Sequence, residues 1–486
     1  MTTPPSTKLS KTDLLLEKVR SGAEEMTRYE QIDLTVRLAI PAMLAQISHI
    51  LMEYIDASMV GRLGAADSAS IGLIATTTWL FWGLCSSIAT GFSVQVAHKI
   101  GARNDKEARS ILRQAFATCL GVSLLLCAVA VSISGALPHW LGGEEAIRPG
   151  ASAYFLVFAL TIPLFEMTYL MSSMLRCSGN VKLPSMLNML LCVLDVVFNF
   201  FFIFPTSQYR IMGMNVTLPG AGMGVMGAAM GTAVAEVVVC SLLFFFLCFR
   251  SRKLSLFGRL SREQATPALF RPRKHVVKKA FKLGLPIACE RVIMCGAQIT
   301  TTMIVAPLGM YAIAANAFGV TAESLCYMPG YGIGDAATTL VGQSVGAKRF
   351  DLSRRFAKIT VLMGIGVMTF MGIVMYIGAP LMMGILTPVQ QIIDLGVSAL
   401  RIEAFAEPMF AASIVCYGVF VGAGDTLIPS CMNFGSIWLF RITLALVLAP
   451  LMGLNGVWLA MCIELCLRGI LFLLRLKSER WLPKTV

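Results

Sequence analysis

The chain has 486 residues and a formal net charge of +13; 56% of it is apolar, only 14% is charged, and its mean hydropathy is +0.74. No ordinary soluble protein of this size has that balance, and the apolar stretches are continuous rather than alternating over about ten residues, which excludes a transmembrane β-barrel. What remains is an all-α polytopic membrane protein, in which each run long enough to cross about 30 Å of hydrocarbon must satisfy its own backbone as a helix.

Residues 1–33 are polar, with Glu17, Lys18, Arg20, Glu24 and Glu25, and read as a mobile or amphipathic N-terminal arm without a cleavable signal peptide. Six apolar runs follow, at 36–60, 71–97, 113–135, 152–174, 184–204 and 222–249, and define a first lobe over 34–249. A basic linker, 250–280, contains "RPRKHVVKK". Six more runs, at 281–305, 316–341, 358–379, 397–421, 431–451 and 455–475, define a second lobe over 281–475, and 476–486 form a tail. The loops on one side carry Lys99, Arg103, Lys106, Arg109 and Arg113, the linker, and Lys348, Arg349, Arg354, Arg355 and Lys358. Those opposite hold only Arg62, Arg148 and Arg210. That asymmetry predicts both termini in the cytoplasm of a plasma (inner) membrane. It also accounts for the positive charge, together with attraction to anionic lipid, so nucleic acid is not expected as a partner. The fourteen cysteines lie mostly singly inside apolar runs and read as packing thiols; Cys462 and Cys466 have no nearby histidine with which to hold a metal.

The chain repeats itself. "RLAIPAMLAQ" (37–46) aligns with "KLGLPIACER" (282–291), "KIGARNDKEAR" (99–109) with "SVGAKRFDLSR" (344–354), and "LRCSGNVKLPSMLN" (175–188) with "FVGAGDTLIPSCMN" (420–433), all at an offset of 245. Two six-helix bundles follow, and because six is even both start on the same side. Their pseudo-two-fold axis therefore runs along the membrane normal. Parallel repeats without a phosphate-binding loop suit a secondary transporter rather than a primary pump, and the absence of HExxH, GxSxG or paired histidines argues against an enzyme.

Acids inside spans are the informative exceptions. A carboxylate at mid-membrane costs about 2.5–3.5 kcal/mol, so such groups face a bundle interior and are functional candidates. Asp56 stands fifteen residues past Pro41 in the first span, with Glu53 one turn back. A carboxyl there can alternate between a proton and a bound cation, which is the exchange an antiporter needs. Asp195 and Asn199 are four apart and share a helix face, so they can converge on one ion, Na⁺ included, together with Asp56. Asn188 reads more simply as an inter-helix hydrogen bond, and Glu236 faces either the same cavity or the linker end. The second lobe carries Glu290, Glu323, Asp335, Glu403, Glu407 and Glu464, with Arg441 and Arg468. Glu464 and Arg468 are spaced to pair with each other, Arg441 is expected on another acid, and Glu407 precedes Pro408 at an expected kink. Counted this way, the intramembrane excess is acidic. Tyr54, Phe165, Tyr169 and Tyr327 are among the aromatics suited to cation–π contact with organic cations. Glu290, Glu407, Glu236, Tyr54 and Phe165 are the substrate-binding candidates.

"IPAMLAQ…YIDASMVGRLG", "QVAHKIGARND", "LRCSGNVKLP", "GVMGAAMGTAVAE" and "FVGAGDTLIP" together resemble the multidrug and toxic compound extrusion (MATE) family in its bacterial branches, in order over roughly 30–475. The resemblance implies a monomeric efflux antiporter with no cofactor, exporting small organic cations in exchange for H⁺ or Na⁺ by alternating access of two lobes. It places Asp56 on the family's coupling acid and Thr232 on its first-lobe hydroxyl, and Glu290 near an acid kept in other branches. Relatives commonly read Asn then Asp where this chain has Asp195 then Asn199, which moves the charge one turn, about 5–6 Å. The competing reading is a flippase for lipid-linked precursors, which should line its cavity with Arg and Lys.

Overall fold

In the computed structural model, residues 10–22, 25–211, 214–251, 253–256 and 272–483 are described. Most of the linker, residues 252 and 257–271, and the last three residues of the tail lie outside them. The first lobe comprises α2 (Arg28–Gly61), α3 (Ala65–Gly101), α4 (Asp105–Ile133), the short α5 (Leu137–Trp140), α6 (Arg148–Cys177), α7 (Lys182–Ile203) and α8 (Gly224–Phe245). The second comprises α9 (Lys274–Val305), α10 (Met310–Gly346), α11 (Phe350–Leu386), α12 (Gln390–Glu403), α13 (Glu407–Ala423), α14 (Leu427–Gly435), α15 (Thr443–Met452) and α16 (Leu454–Lys477). A π-helical segment, Ser436–Ile442, joins α14 to α15 within one span. Among the described residues ten spans are long and apolar enough to cross a membrane, and α12 with α13, bent by 61°, makes an eleventh. The bend falls where Pro408 removes a helical donor. The twelfth, α10, is rich in Gly, Ser and Thr and less apolar than the others, but it is enclosed by α2, α3, α11 and α13, so lipid does not have to cover it.

The expected all-α chain needs one correction. Residues 205–221, read as a loop, form an antiparallel hairpin of β1 (Pro205–Ile211) and β2 (Met214–Ala221). A hairpin outside the helical core satisfies its own backbone, and the Thr206 hydroxyl closes its base by bonding both the carbonyl and the N–H of Gly220, at 3.1 and 3.0 Å.

The lobes join reciprocally. The first span of each packs on the second span of the other: α2 on α10, and α9 on α3. Gly101 and Gly346, partners in the repeat, lie where α3 and α10 cross; a Cβ on either would collide with the carbonyl of Gln343 or of His98. His98 Nε2 and the Gly422 carbonyl are 2.8 Å apart, and Gln343 donates to the Cys177 carbonyl at 2.7 Å. These contacts seal the end of the molecule that carries the basic loops.

Residues 11–21 of the N-terminal arm dock there. Helix α1 (Lys11–Ser21), capped by Ser10, buries Leu15, Leu16 and Val19 in the second-lobe core beside Phe420, Phe472 and Trp481. The tail returns to the same end, with Glu479 on Arg354 at 2.8 Å.

Candidate functional site

Within the first lobe, α2, α7 and α8 bring the coupling candidates together. Asp195 and Asn199 are fully buried on one face of α7, as their spacing predicts. The Asn199 amide donates to Asp56 Oδ1 at 2.9 Å and to Asp195 Oδ2 at 3.0 Å. One amide therefore serves two carboxyls that also face each other. The assignment of the amide follows from chemistry, because carboxylates need a donor and only the nitrogen end supplies one. Gly231 of α8 holds it in place: a Cβ there would strike the Asn199 side-chain oxygen. Asp195 Oδ1 and Asn199 Oδ1 accept no hydrogen bond, and no Lys or Arg among the described residues pairs with Asp56 or Asp195. Two adjacent carboxyls with no cationic partner, beside the unpartnered Asp195 Oδ1 and Asn199 Oδ1, suit a proton or a hard cation bound through oxygen.

The other first-lobe candidates sit less centrally. The Thr232 hydroxyl is next to Asp195 but bonds back to the Ala228 carbonyl at 3.1 Å. Glu53 does not join the cluster; it lies 3.6 Å from His49, one turn back, with 39% of its side chain exposed. Asn188 donates to the Ala45 carbonyl at 3.3 Å, the inter-helix bond expected of it.

Between the lobes is a cavity of about 310 Å³, lined by α3 and α6 from one side and by α9, α10, α13 and α16 from the other. Of the substrate candidates only Glu290 reaches it. Glu407 and Glu236 are buried inside their own lobes, Phe165 packs on Phe158 with centroids 5.7 Å apart, and Tyr54 is not part of the wall. Tyr169, Tyr327, Tyr331 and Tyr417 supply the aromatic surface instead. Glu290 is fully engaged, accepting from Tyr417 at 2.7 Å, Ser430 at 2.8 Å and Asn433 at 2.7 Å.

Two charge readings are corrected. Arg441 does not neutralise a separate acid: it donates to Glu464 at 3.0 and 2.6 Å, and Arg468 lies 3.1 Å from the same carboxylate. Arg468 reaches it as the i,i+4 neighbour on α16, and Arg441 because the π-helical turn faces that helix. Nor does acid dominate the cavity, whose wall holds Arg176, Arg291, Arg441 and Arg468. Arg176 and Arg291 are absent from the sequence-based candidates, although Arg291 lies mid-span in "LPIACERVIM", where an unexplained charge is itself a signal.

Two homologous helical lobes around a polar cavity, with a pair of acids inside one of them, are the architecture of a membrane transporter. The chain belongs to the MatE family, whose signature matches residues 41–201 and again 286–447. The two matches begin 245 residues apart, the offset of the repeat. Among curated relatives, a probable multidrug resistance protein NorM of Thermotoga maritima is 24% identical over 93% of both chains. An uncharacterized Bacillus subtilis transporter, YisQ, is 22% identical over 92% of this chain and 94% of its own. The fold superposes on a multidrug resistance MATE transporter solved in an outward-facing conformation, with a TM-score of 0.84, 18% identity, and coverage of 98% of this chain and 100% of the other. A Pyrococcus furiosus transporter of the MOP superfamily, described as having a binding pocket of reverse polarity, superposes equally well, at 0.84 with 19% identity over 96% and 97%.

Proposed function

We propose that the chain is a secondary multidrug efflux antiporter of the inner membrane, with its basic face and both termini in the cytoplasm, exchanging H⁺ or Na⁺ for small organic cations. The observation that carries this is the Asn199-bridged pair of Asp56 and Asp195, two carboxyls with no cationic partner among the described residues and with Asp195 Oδ1 unpartnered. Protonation or Na⁺ relieves their repulsion; departure of that ion restores it. The change is felt at the lobe interface because Asp56 rides on α2, whose Ala42–Met43 backbone lies against Gly332 of α10. Filling the site therefore biases the packing on which the lobes rock, as alternating access requires.

The test is export of an ethidium-like dye from proteoliposomes under independently imposed pH and Na⁺ gradients. Transport driven by one of the two gradients is the expected result; transport indifferent to both would overturn it. The cavity arginines favour a second reading, a flippase for a lipid-linked diphosphate. It is the weaker one, because Asp335 holds Arg176 at 3.4 Å and Glu464 holds Arg441 and Arg468, leaving one guanidinium for two phosphates. Gradient-independent movement of a polyprenyl diphosphate would favour it.

A further inference from the structure

We propose that α1 is a strap that holds the basic face closed and must let go of the first lobe whenever that face opens; that the face opens at all rests on the alternating-access reading above. The repeat builds the closed face twice. His98 and Gln343 stand 245 residues apart, and so do the carbonyls they meet across the seam between the lobes, those of Gly422 and Cys177. Each lobe thus sends one side chain to the last turn of a helix in the other, α13 or α6. The two halves of this closure are not equal, however. Gln343 is fully buried, and its amide carries an oxygen as well as the nitrogen that Cys177 receives, so that oxygen needs a donor.

Arg20 of α1 supplies it, donating to Gln343 Oε1 from Nε at 3.1 Å and from Nη2 at 2.8 Å. That contact fixes which end of the amide points at Cys177. Nη2 also donates to the Ser178 carbonyl of the first lobe at 3.3 Å, so one buried guanidinium spans the seam. These are charge-assisted bonds in a place with little water to replace them. The rest of α1 is divided in the same way. Glu17 meets Arg103 of the first lobe at 2.6 Å, and Arg349 of the second donates to the Lys18 carbonyl at 2.9 Å. Leu16 fills the space left by Gly179 of the first lobe, whose φ of +98° suits a residue without Cβ, while Leu15 and Val19 are buried in the second-lobe core. Rigid separation of the lobes cannot preserve both sets of contacts. The second-lobe set includes the burial of Leu15 and Val19, so the contacts to Ser178, Gly179 and Arg103 are the ones that break.

Hydrogen exchange on the full-length chain in nanodiscs tests the strap. Arg20→Ala should speed exchange at 98–103 and 342–349, the two helix ends that meet at the seam, by about tenfold or more, as expected for lost charge-assisted hydrogen bonds to a buried amide. Leu16→Ala, which uncovers Gly179, should act on the same two segments. Arg20→Lys, with an ammonium in place of the planar fork, should fall between Arg20→Ala and wild type. Helix α4, which packs on α3 and α6 of its own lobe, should keep the wild-type rate in all three. Unchanged exchange at both segments in Arg20→Ala would overturn the strap. So would a rise that spreads equally to α4, because α1 would then brace the whole fold rather than the seam. If Arg20→Ala does not fold, Leu16→Ala and Arg20→Lys answer the same question, and wild-type exchange at both segments again overturns it. Exchange needs no ion gradient, so failure here leaves the antiport reading standing, and failure of gradient-driven export leaves the strap.

Discussion

In the first lobe Asp56 and Asp195 share a single donor amide, and no arginine among the described residues reaches them; in the second, Glu290 takes three donors and Glu464 takes two arginines and a serine. The lobes descend from one repeated unit, yet their carboxyls have opposite circumstances. An acid whose charge is already met by fixed partners gains little from a proton or an ion, whereas an acid pair short of donors has every reason to take one. Glu403 and Glu407 complicate the contrast: all four of their oxygens lack hydrogen-bond partners, but both residues are closed inside the second lobe at the α12–α13 bend, away from the cavity wall. Exchange requires unmet demand together with a route: Glu290 and Glu464 lack the first, and Glu403 and Glu407 lack the second.

The sharpest way to break the comparison is to remove titration from each lobe in turn. Asp56→Asn and Asp195→Asn should each abolish gradient-driven export, a loss of more than about 100-fold, while folding and some dye binding survive, since amide and carboxyl have similar size. Glu290→Gln should keep the same ion dependence. Export rates per reconstituted protein under each gradient decide between them; a silent Asp56→Asn beside a dead Glu290→Gln would move the coupling site to the second lobe.

Stability should follow the reverse order. Glu464→Gln leaves Arg441 and Arg468 facing each other in a buried site, and breaking a buried pair on one side costs about 3–5 kcal/mol. Thermal unfolding followed with a thiol-reactive dye suits a chain whose fourteen cysteines are all free. The melting temperature should fall clearly for Glu464→Gln and stay within error of wild type for Asp56→Asn.

A smaller effect is expected from restoring the order of residues common in relatives. Asp195→Asn combined with Asn199→Asp keeps one amide and one carboxyl on the same face of α7, and position 199 is the one already in contact with Asp56. Export should recover to about tenfold above the Asp195→Asn single variant, because charge number is restored and only the geometry shifts by a turn. No recovery would mean that the position of the charge, and not its presence, sets coupling.

Much of this could be read from the chain. The spans follow from hydropathy, the two lobes from the glycines and prolines of the repeat, and the shared face of Asp195 and Asn199 from helical period. What periodicity cannot supply is the partner across the bundle. That Asn199 serves Asp56, 143 residues away, that Glu290 is already satisfied, and that Arg441 joins Arg468 on one acid are all consequences of tertiary packing. The hairpin is not legible, because seven or eight residues beside long apolar helices carry only a weak pattern. The cavity's polarity is not legible from a count of intramembrane acids, because which charges face the cavity is set by packing: Glu290 and Arg291 are adjacent in sequence but point about 100° apart on a helix.

The smallest effect is predicted for Glu53, which separates membership of the acid site from mere proximity to it. It stands one turn from Asp56 on α2, and sequence alone makes it a co-ligand. Its carboxylate instead approaches His49 at 3.6 Å, is 39% exposed, and receives nothing from Asn199. Its influence on Asp56 is therefore a through-space one, and exposed pairs of this kind contribute at most about 1 kcal/mol. Glu53→Gln should change the ion-driven export rate by less than about fivefold and leave its ion preference as it was, that bound being the same energy expressed as a rate. His49→Gln should do no more, since the pair would be broken from its other side. A Glu53→Gln loss as deep as that of Asp56→Asn would make Glu53 a third carboxyl of the site, and would require α2 to turn it inward in another conformation of the transport cycle.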